Sequence, residues 1–420
     1  MEWLVVFLAI ALQIQVTILE QGDYLGIRIG IADLFVPFIG VFVLFSILSK
    51  KSVFPQFSSP YVILWLAALA LVMSVSLVNG YMSVGEFSLW AFVNKYIGFF
   101  LLLSYFLLGG WLVTNCDDVQ RLVGLFVQYF SGFFIVTAFL SVVMLYMQPF
   151  FSFSLWLPAY PWDGFMANRN SYMVIFVLVF IFLIWGMADK GIVLPKWLQG
   201  LFWFCLPVFW VFNDSRTGWI AVAVLTVVML FRNPVARLKF IVPFVFVGFV
   251  VAYGSYYVTT HSTILNGDQA AYFIKFIHSV EKEPEYIGDR QRYIAVEDGL
   301  ELYRQSDPLV GGGLGSYKPF QIDKRGEYIN VMDFTGLWLL VETGAVGLLV
   351  FSAFFLSCAW CLFQRGFIRD EGGYYRAMFM FLIMFAGMSV LHELMYTRFL
   401  WFAVGLSLAC SCCNEDKVRD

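Results

Sequence analysis

The chain has 420 residues, of which 61% are hydrophobic and only 13% charged, with a formal net charge of −3. Soluble domains carry about 25% charged residues, so lipid must be the solvent for most of this surface, and a string of soluble domains is excluded. The charge balance shows no basic excess suited to nucleic acid and no acidic tail.

A membrane-spanning helix needs about 20 consecutive apolar residues. In chain order, such runs lie near 3–19, 30–48, 61–79, 88–113, 122–146, 171–188, 197–213, 217–231, 240–258, 336–363, 376–395 and 398–413. They predict an all-α polytopic membrane helical bundle of about twelve transmembrane helices. The first run lacks a basic n-region and a small-residue cleavage site, so it is expected to be a retained helix rather than a signal peptide. Three regions follow: 1–258 with the first nine transmembrane helices, 259–335 as one large extracytoplasmic loop, and 336–420 with the last three helices and a cytoplasmic tail.

Orientation follows from where Lys and Arg gather in short loops. Lys50, Lys51, Arg121, Lys190, Lys196, Arg232, Arg237, Lys239, Arg365, Arg369, Arg376, Lys417 and Arg419 all fall on one parity of loops, whereas Arg28, Arg216 and Arg398 stand isolated on the other. Both termini are therefore expected in the cytoplasm and the 259–335 loop outside. None of the seven cysteines falls in an extracytoplasmic loop, so no disulfide framework is expected. Cys358 and Cys361 have CxxC spacing but sit inside an apolar helix, where packing is the simpler reading.

Chemistry is sought where polar groups concentrate, at the outer ends of the helices. Asn213-Asp214-Ser215-Arg216-Thr217-Gly218 is a short turn between two apolar runs. An Arg held there either pairs with Asp214 or offers a bidentate fork to phosphate. In the large loop, Tyr293, Val296, Leu300 and Tyr303 recur at helical spacing, which predicts an amphipathic helix ended by Asp307-Pro308. The cluster Gly311, Gly312, Gly313 and Gly315 allows close backbone approach, either to a substrate or simply as a loose loop. Glu342 lies well inside the next apolar run and should face the bundle interior, because an unpaired carboxylate in lipid is costly. Lys95 is the other intramembrane charge, and His392-Glu393 precedes Arg398 at an outer helix end.

Taken in order, these residues resemble the O-antigen ligase/polymerase superfamily of bacterial membrane proteins. Ser215-Arg216-Thr217-Gly218 resembles its S-R-T/S-G/A element. Arg292, followed by Pro308 and Gly311-x-Gly313-x-Gly315, resembles its R…PLxGxG segment. Leu337 to Gly347, with Glu342-Thr343-Gly344, resembles its L…ExGxxG helix, and Gly164-Phe165 to Asn170 resembles its G-F…N turn. The likeness spans roughly 160–350. It implies a multi-pass bacterial inner-membrane glycosyltransferase working on the periplasmic side without metal or other cofactor. The implied partners are an undecaprenyl-diphosphate-linked glycan and the lipid bilayer, with a chain-length regulator left open and no nucleic acid.

On the same resemblance, Arg216, Arg292 and Arg290 are candidates for holding diphosphate. Arg169, Asn170, Gly313 and Tyr317 are candidates for contacting glycan. The ligases carry His-Asn where this chain has Asp333-Phe334, so the base is sought in Asp333 or His392, with His261 and His278 as further histidines of the loop. That substitution favours a polymerase joining repeat units of O-antigen, capsule or exopolysaccharide over a ligase or oligosaccharyltransferase. Arg325, eleven residues before Gly336, echoes a spacing of some polymerases that chance alone also produces. A transporter of lipid-linked sugar is the non-enzymatic alternative; it would place its polar groups near the bilayer midplane rather than at one face.

Overall fold

In the computed structural model, residues 1–18, 27–86, 88–147, 164–166, 169–186, 194–212, 216–232, 239, 241–251, 253, 287–329, 332 and 334–410 are described. The chain divides into two compact units, one of Met1–Phe130, Leu178–Val193 and Ile294–Asp420, the other of Ser131–Val177 and Leu194–Tyr293. The architecture is all-α, and each apolar run of the sequence carries a helix. Among the described residues, five helical spans are long and apolar enough to cross a membrane: Ile31–Leu48, Tyr61–Val84, Ala91–Thr114, Val119–Val143 and Thr335–Ile368.

The first unit opens with α1 (Glu2–Ala11), which is shorter than the 3–19 run. The chain then leaves the helix for an antiparallel pair, β1 (Gln15–Ile18) with β2 (Ile27–Gly30). Gln13 explains the stop: its amide donates to Ala9 O at 2.8 Å and to Phe130 O at 2.9 Å. Val16-Thr17-Ile18 beyond it are β-branched residues suited to a strand. There follow α2 (Ile31–Leu48), α3 (Tyr61–Val84), a π-helical segment Ala91–Ile97 running directly into α4 (Gly98–Thr114), and α5 (Val119–Met147).

In the second unit α6 (Arg169–Gly186), α7 (Lys196–Phe212), α8 (Arg216–Arg232) and α9 (Ile241–Val251) follow. Phe176 links α6 to Phe134 of α5 and stacks on Phe202 of α7 at 5.0 Å. The chain returns through α10 (Ile287–Gln305) and α11 (Tyr317–Arg325), then α12 (Thr335–Phe363), α13 (Gly373–Ser389) and α14 (Arg398–Leu408).

Within the first unit α14 lies along α4, so close that a Cβ at Gly405 would overlap Phe106 O. Membrane helices associate through such small-residue contacts because lipid gives no hydrophobic drive between them. Arg398 at the start of α14 is neutralised in place: its guanidinium meets both oxygens of Asp33, which also accept from Tyr105 Oη (2.7 Å) and the Gly30 amide (2.7 Å).

The helix expected in the large loop is present as α10, but a different face is buried. Ala295, Asp298 and Leu302 turn inward, whereas Tyr293 is 71% exposed and Leu300 is also exposed. The reason is Asp298, whose partners lie on α11. Arg325 grips it with Nε on Oδ2 and Nη2 on Oδ1, both at 2.7 Å, with Lys324 at 2.8 Å and Gln321 at 3.1 Å. Burial alone would raise the Asp298 pKa, but these hydrogen bonds outweigh it and hold the carboxyl at about 2. A carboxyl depressed in this way contributes stability above its unfolded value near 3.9 and loses it as pH falls toward 2. The melting difference between wild type and Asp298→Asn, measured in detergent, is therefore expected to be constant from pH 5 to 8 and to shrink below about pH 4. A difference that does not shrink would remove the charge from the explanation.

Candidate active site

The strongest local feature is a break in α12. Gly344 has φ 70° and ψ −176°, a conformation that only glycine adopts freely, and it interrupts the helical ladder. Four of the groups beside the break are met from outside the helix. Gly312 N–H donates to Val341 O at 2.8 Å, and Ser76 Oγ donates to Glu342 O at 2.5 Å. On the far side of the break, Ala345 and Val346 N–H donate to Pro308 O and Leu309 O at 3.0 and 3.2 Å. A non-helical backbone at membrane depth is tolerated only when protein satisfies it in this way.

The partner is the glycine-rich loop that follows α10. Asp307 Oδ1 accepts from the Leu309 and Val310 amides and shapes its first turn. Leu314 N–H then donates to Ser76 O at 2.8 Å, and Asn79 Nδ2 donates to Gly311 O at 2.8 Å, fastening the loop to α3. Gly313 has φ 86°, and a Cβ there would overlap the Gly80 backbone. The close approach expected of this cluster thus occurs, and the nearest surface is the backbone of α3 and α12. Tyr317, just beyond, is buried and donates its hydroxyl to Ala295 O at 3.3 Å, between α10 and α11.

Glu342 is buried as expected of it, 3% exposed. Its carboxylate accepts from Trp338 Nε1 at 2.7 Å and from the Gly315 amide. Against Trp338 lies the ammonium of Lys95, carried by the π-helical segment and paired with Glu393 at 2.5 Å. Glu393 belongs to the turn between α13 and α14, which also holds His392. That turn is tied to the start of α12: Thr335 Oγ1 donates to His392 O at 2.8 Å and accepts from Leu394 N–H at 3.1 Å. His392 itself is buried, 6% exposed. The sequence marks Lys95 as an intramembrane charge and Glu393 as a polar group at a helix end; that they are partners shows only in the fold. The one hint is that a lone Lys in an apolar run requires a counterion.

In the second unit, Gly218 brings the start of α8 against α6, where a Cβ would overlap the Met173 side chain. Gly218 is two residues beyond Arg216, and Met173 is one turn beyond Arg169 and Asn170. Two helix N-termini, each carrying an arginine, therefore lie side by side. Arg290 and Arg292 are on the first turns of α10, two residues apart and so on different sides of the helix; Arg290 is exposed and Arg292 half-buried. Asp333, Asp214, Ser215, His261 and His278 lie outside the described residues.

Residues 200–352 match a family model described as O-Antigen ligase. That segment belongs to the O-antigen ligase family. No curated protein matches the chain. The O-antigen ligase segment runs from α7 to the first half of α12. It includes Arg216 and Gly218, Arg290 and Arg292, the glycine-rich loop, Glu342 and the Gly344 break. Lys95, His392, Glu393 and Arg398 lie outside it. The apolar helices mark a multi-pass membrane protein, and its segment 200–352 is similar to the O-antigen ligases.

Proposed function

We propose that the protein is a bacterial inner-membrane glycosyltransferase that polymerises undecaprenyl-diphosphate-linked oligosaccharide repeat units on the periplasmic side. The observation that carries this reading is the adjacency of the α6 and α8 N-termini, with Arg169 on one and Arg216, inside the matched segment, on the other. Helix N-termini and guanidinium forks are the groups that hold phosphate oxygens, and the loop charges put both ends at the outer leaflet. There a polyprenyl diphosphate keeps its tail in lipid and its phosphates within reach.

In the proposed step an acceptor hydroxyl attacks the anomeric carbon of the donor sugar. The bond to the diphosphate oxygen breaks, its electrons leave with the diphosphate, and a base takes the hydroxyl proton. Arg216, Arg292 and Arg290 stabilise the charge growing on the leaving group, and Asp333 or His392 is the base. A chain-length regulator would act on this extension.

The family description itself favours a second reading, a ligase that passes the finished glycan to a surface anchor. Asp333-Phe334 in place of His-Asn tips the balance toward polymerase. Deleting the gene separates the two. A polymerase mutant is expected to display single repeat units on the surface and almost no long chains. Accumulated lipid-linked glycan with none on the anchor would make the protein a ligase.

A further inference from the structure

Lys95 differs from Arg398, also buried in the first unit, in what it does to its partner. Arg398 and Asp33 saturate one another: both Asp33 oxygens are taken, and Tyr105 and Gly30 add to them. That pair is structural. Glu393 is engaged through Oε1 alone, and among the described residues its second carboxylate oxygen accepts no hydrogen bond. The Glu393 side chain is 20% exposed against 6% for Lys95.

Three aromatic rings surround the same ammonium. Lys95 Nζ is 4.2 Å from the centroid of Trp338 and 5.4 Å from those of Trp90 and Tyr396. Trp338 is buried behind it, while Trp90 and Tyr396 are half-buried at the rim with Glu393. Tyr396 Oη donates to Lys95 O at 2.9 Å, which fixes that ring on the π-helical segment. π-Helical insertions in α-helices are frequent at functional sites. An ion pair at this depth gives little stability beyond an apolar pair of the same volume, so stability alone does not account for it.

We propose that Glu393, Trp90 and Tyr396, gathered around Lys95, form a saccharide subsite of the transferase; this rests on the function proposed above. A pyranose offers an apolar face of C–H groups that lies on aromatic rings, and hydroxyls that donate charge-assisted hydrogen bonds to a carboxylate. The free oxygen of Glu393 accepts from a sugar hydroxyl beside the rims of Trp90 and Tyr396. Lys95 is a positioning residue: it fixes the carboxylate and balances its charge, which matches a neutral sugar rather than an amine cation. The turn that holds Glu393 also holds His392 and is bonded to the start of α12, so a sugar bound there lies beside the candidate base.

The test uses full-length protein in liposomes and two binding probes. One is the free oligosaccharide released by mild acid from the cell's own lipid-linked repeat unit, and the other is undecaprenyl diphosphate without sugar. Glu393→Gln and Trp90→Ala are expected to weaken oligosaccharide binding about tenfold or more and to leave undecaprenyl diphosphate binding unchanged. Lys95→Arg should retain oligosaccharide binding better than Lys95→Met. In transfer assays a rise in KM for the acceptor, with that for the donor unchanged, assigns the subsite to the acceptor; the reverse assigns it to the donor sugar. Variants that bind both probes as wild type does, or lose both together, overturn the subsite while wild-type transfer leaves the functional reading standing. A wild-type protein that neither binds oligosaccharide nor transfers it overturns both.

Discussion

Arg216→Ala and Arg292→Ala are each expected to reduce glycan transfer by about 100-fold or more, with normal membrane insertion and expression. The magnitude is that of removing one preorganised donor from developing transition-state charge, about 10²–10³ in rate. The phosphate oxygens that leave carry a negative charge shared over several atoms. A guanidinium meets two of them with a fixed fork, whereas an ammonium meets them as a point. Arg216→Lys is therefore expected to behave much more like Arg216→Ala than like wild type. Transfer is read from the length distribution of the surface glycan in a complemented deletion strain, and insertion from protein abundance in the membrane fraction. Full activity in either alanine variant would remove that arginine from the site, and full activity in Arg216→Lys would show that charge alone suffices.

Gly313→Ala is expected to be among the most damaging single-methyl changes in the described structure. It combines a backbone at φ 86° with a Cβ placed on the Gly80 backbone. Strain of the left-handed region costs about 1–2 kcal/mol for an L residue, and overpacking adds about 1–3 kcal/mol. Gly326→Ala separates the two: its φ is 81°, yet nothing lies within 4 Å of the added Cβ. Thermal unfolding in detergent should show Gly313→Ala well below Gly326→Ala, with both below wild type. Equal melting of the two variants would mean that the glycine-rich loop does not rest on α3 and that the Gly344 break is satisfied elsewhere.

Much of the fold is legible in the sequence because lipid imposes a simple rule on each helix by itself. An apolar run that crosses the bilayer alone satisfies its backbone as a helix, and each run carries one among the described residues. The exception is instructive: residues 12–18 stay apolar enough to extend the first run, but Gln13 and the β-branched residues after it turn the chain into a hairpin. The stripe chosen for α10 fails for a related reason. Tyr293, Val296, Leu300 and Tyr303 give the right period, yet Asp298 decides the face, and its partners on α11 come 23 to 27 residues later.

The site is legible in its residue types and not in its pairings. Glycine at 311, 313 and 315 announces close approach but not its object, and Asn79, which fastens the loop, is 232 residues from Gly311. Lys95 and Glu393 are 298 residues apart. Composition and periodicity act over one or two helical turns; a partner at that separation is fixed only when two distant helices pack.

Elongation of a glycan carried on polyprenyl diphosphate can be measured with this protein alone. Purified protein in liposomes, given the lipid-diphosphate-linked repeat unit as sole substrate, should convert it to a ladder of lipid-linked products differing by one repeat, with the ladder absent for Arg216→Ala. Substrate that stays at one repeat with the wild-type protein, while the same preparation transfers it to a separate surface-anchor acceptor, would make the protein a ligase and not a polymerase.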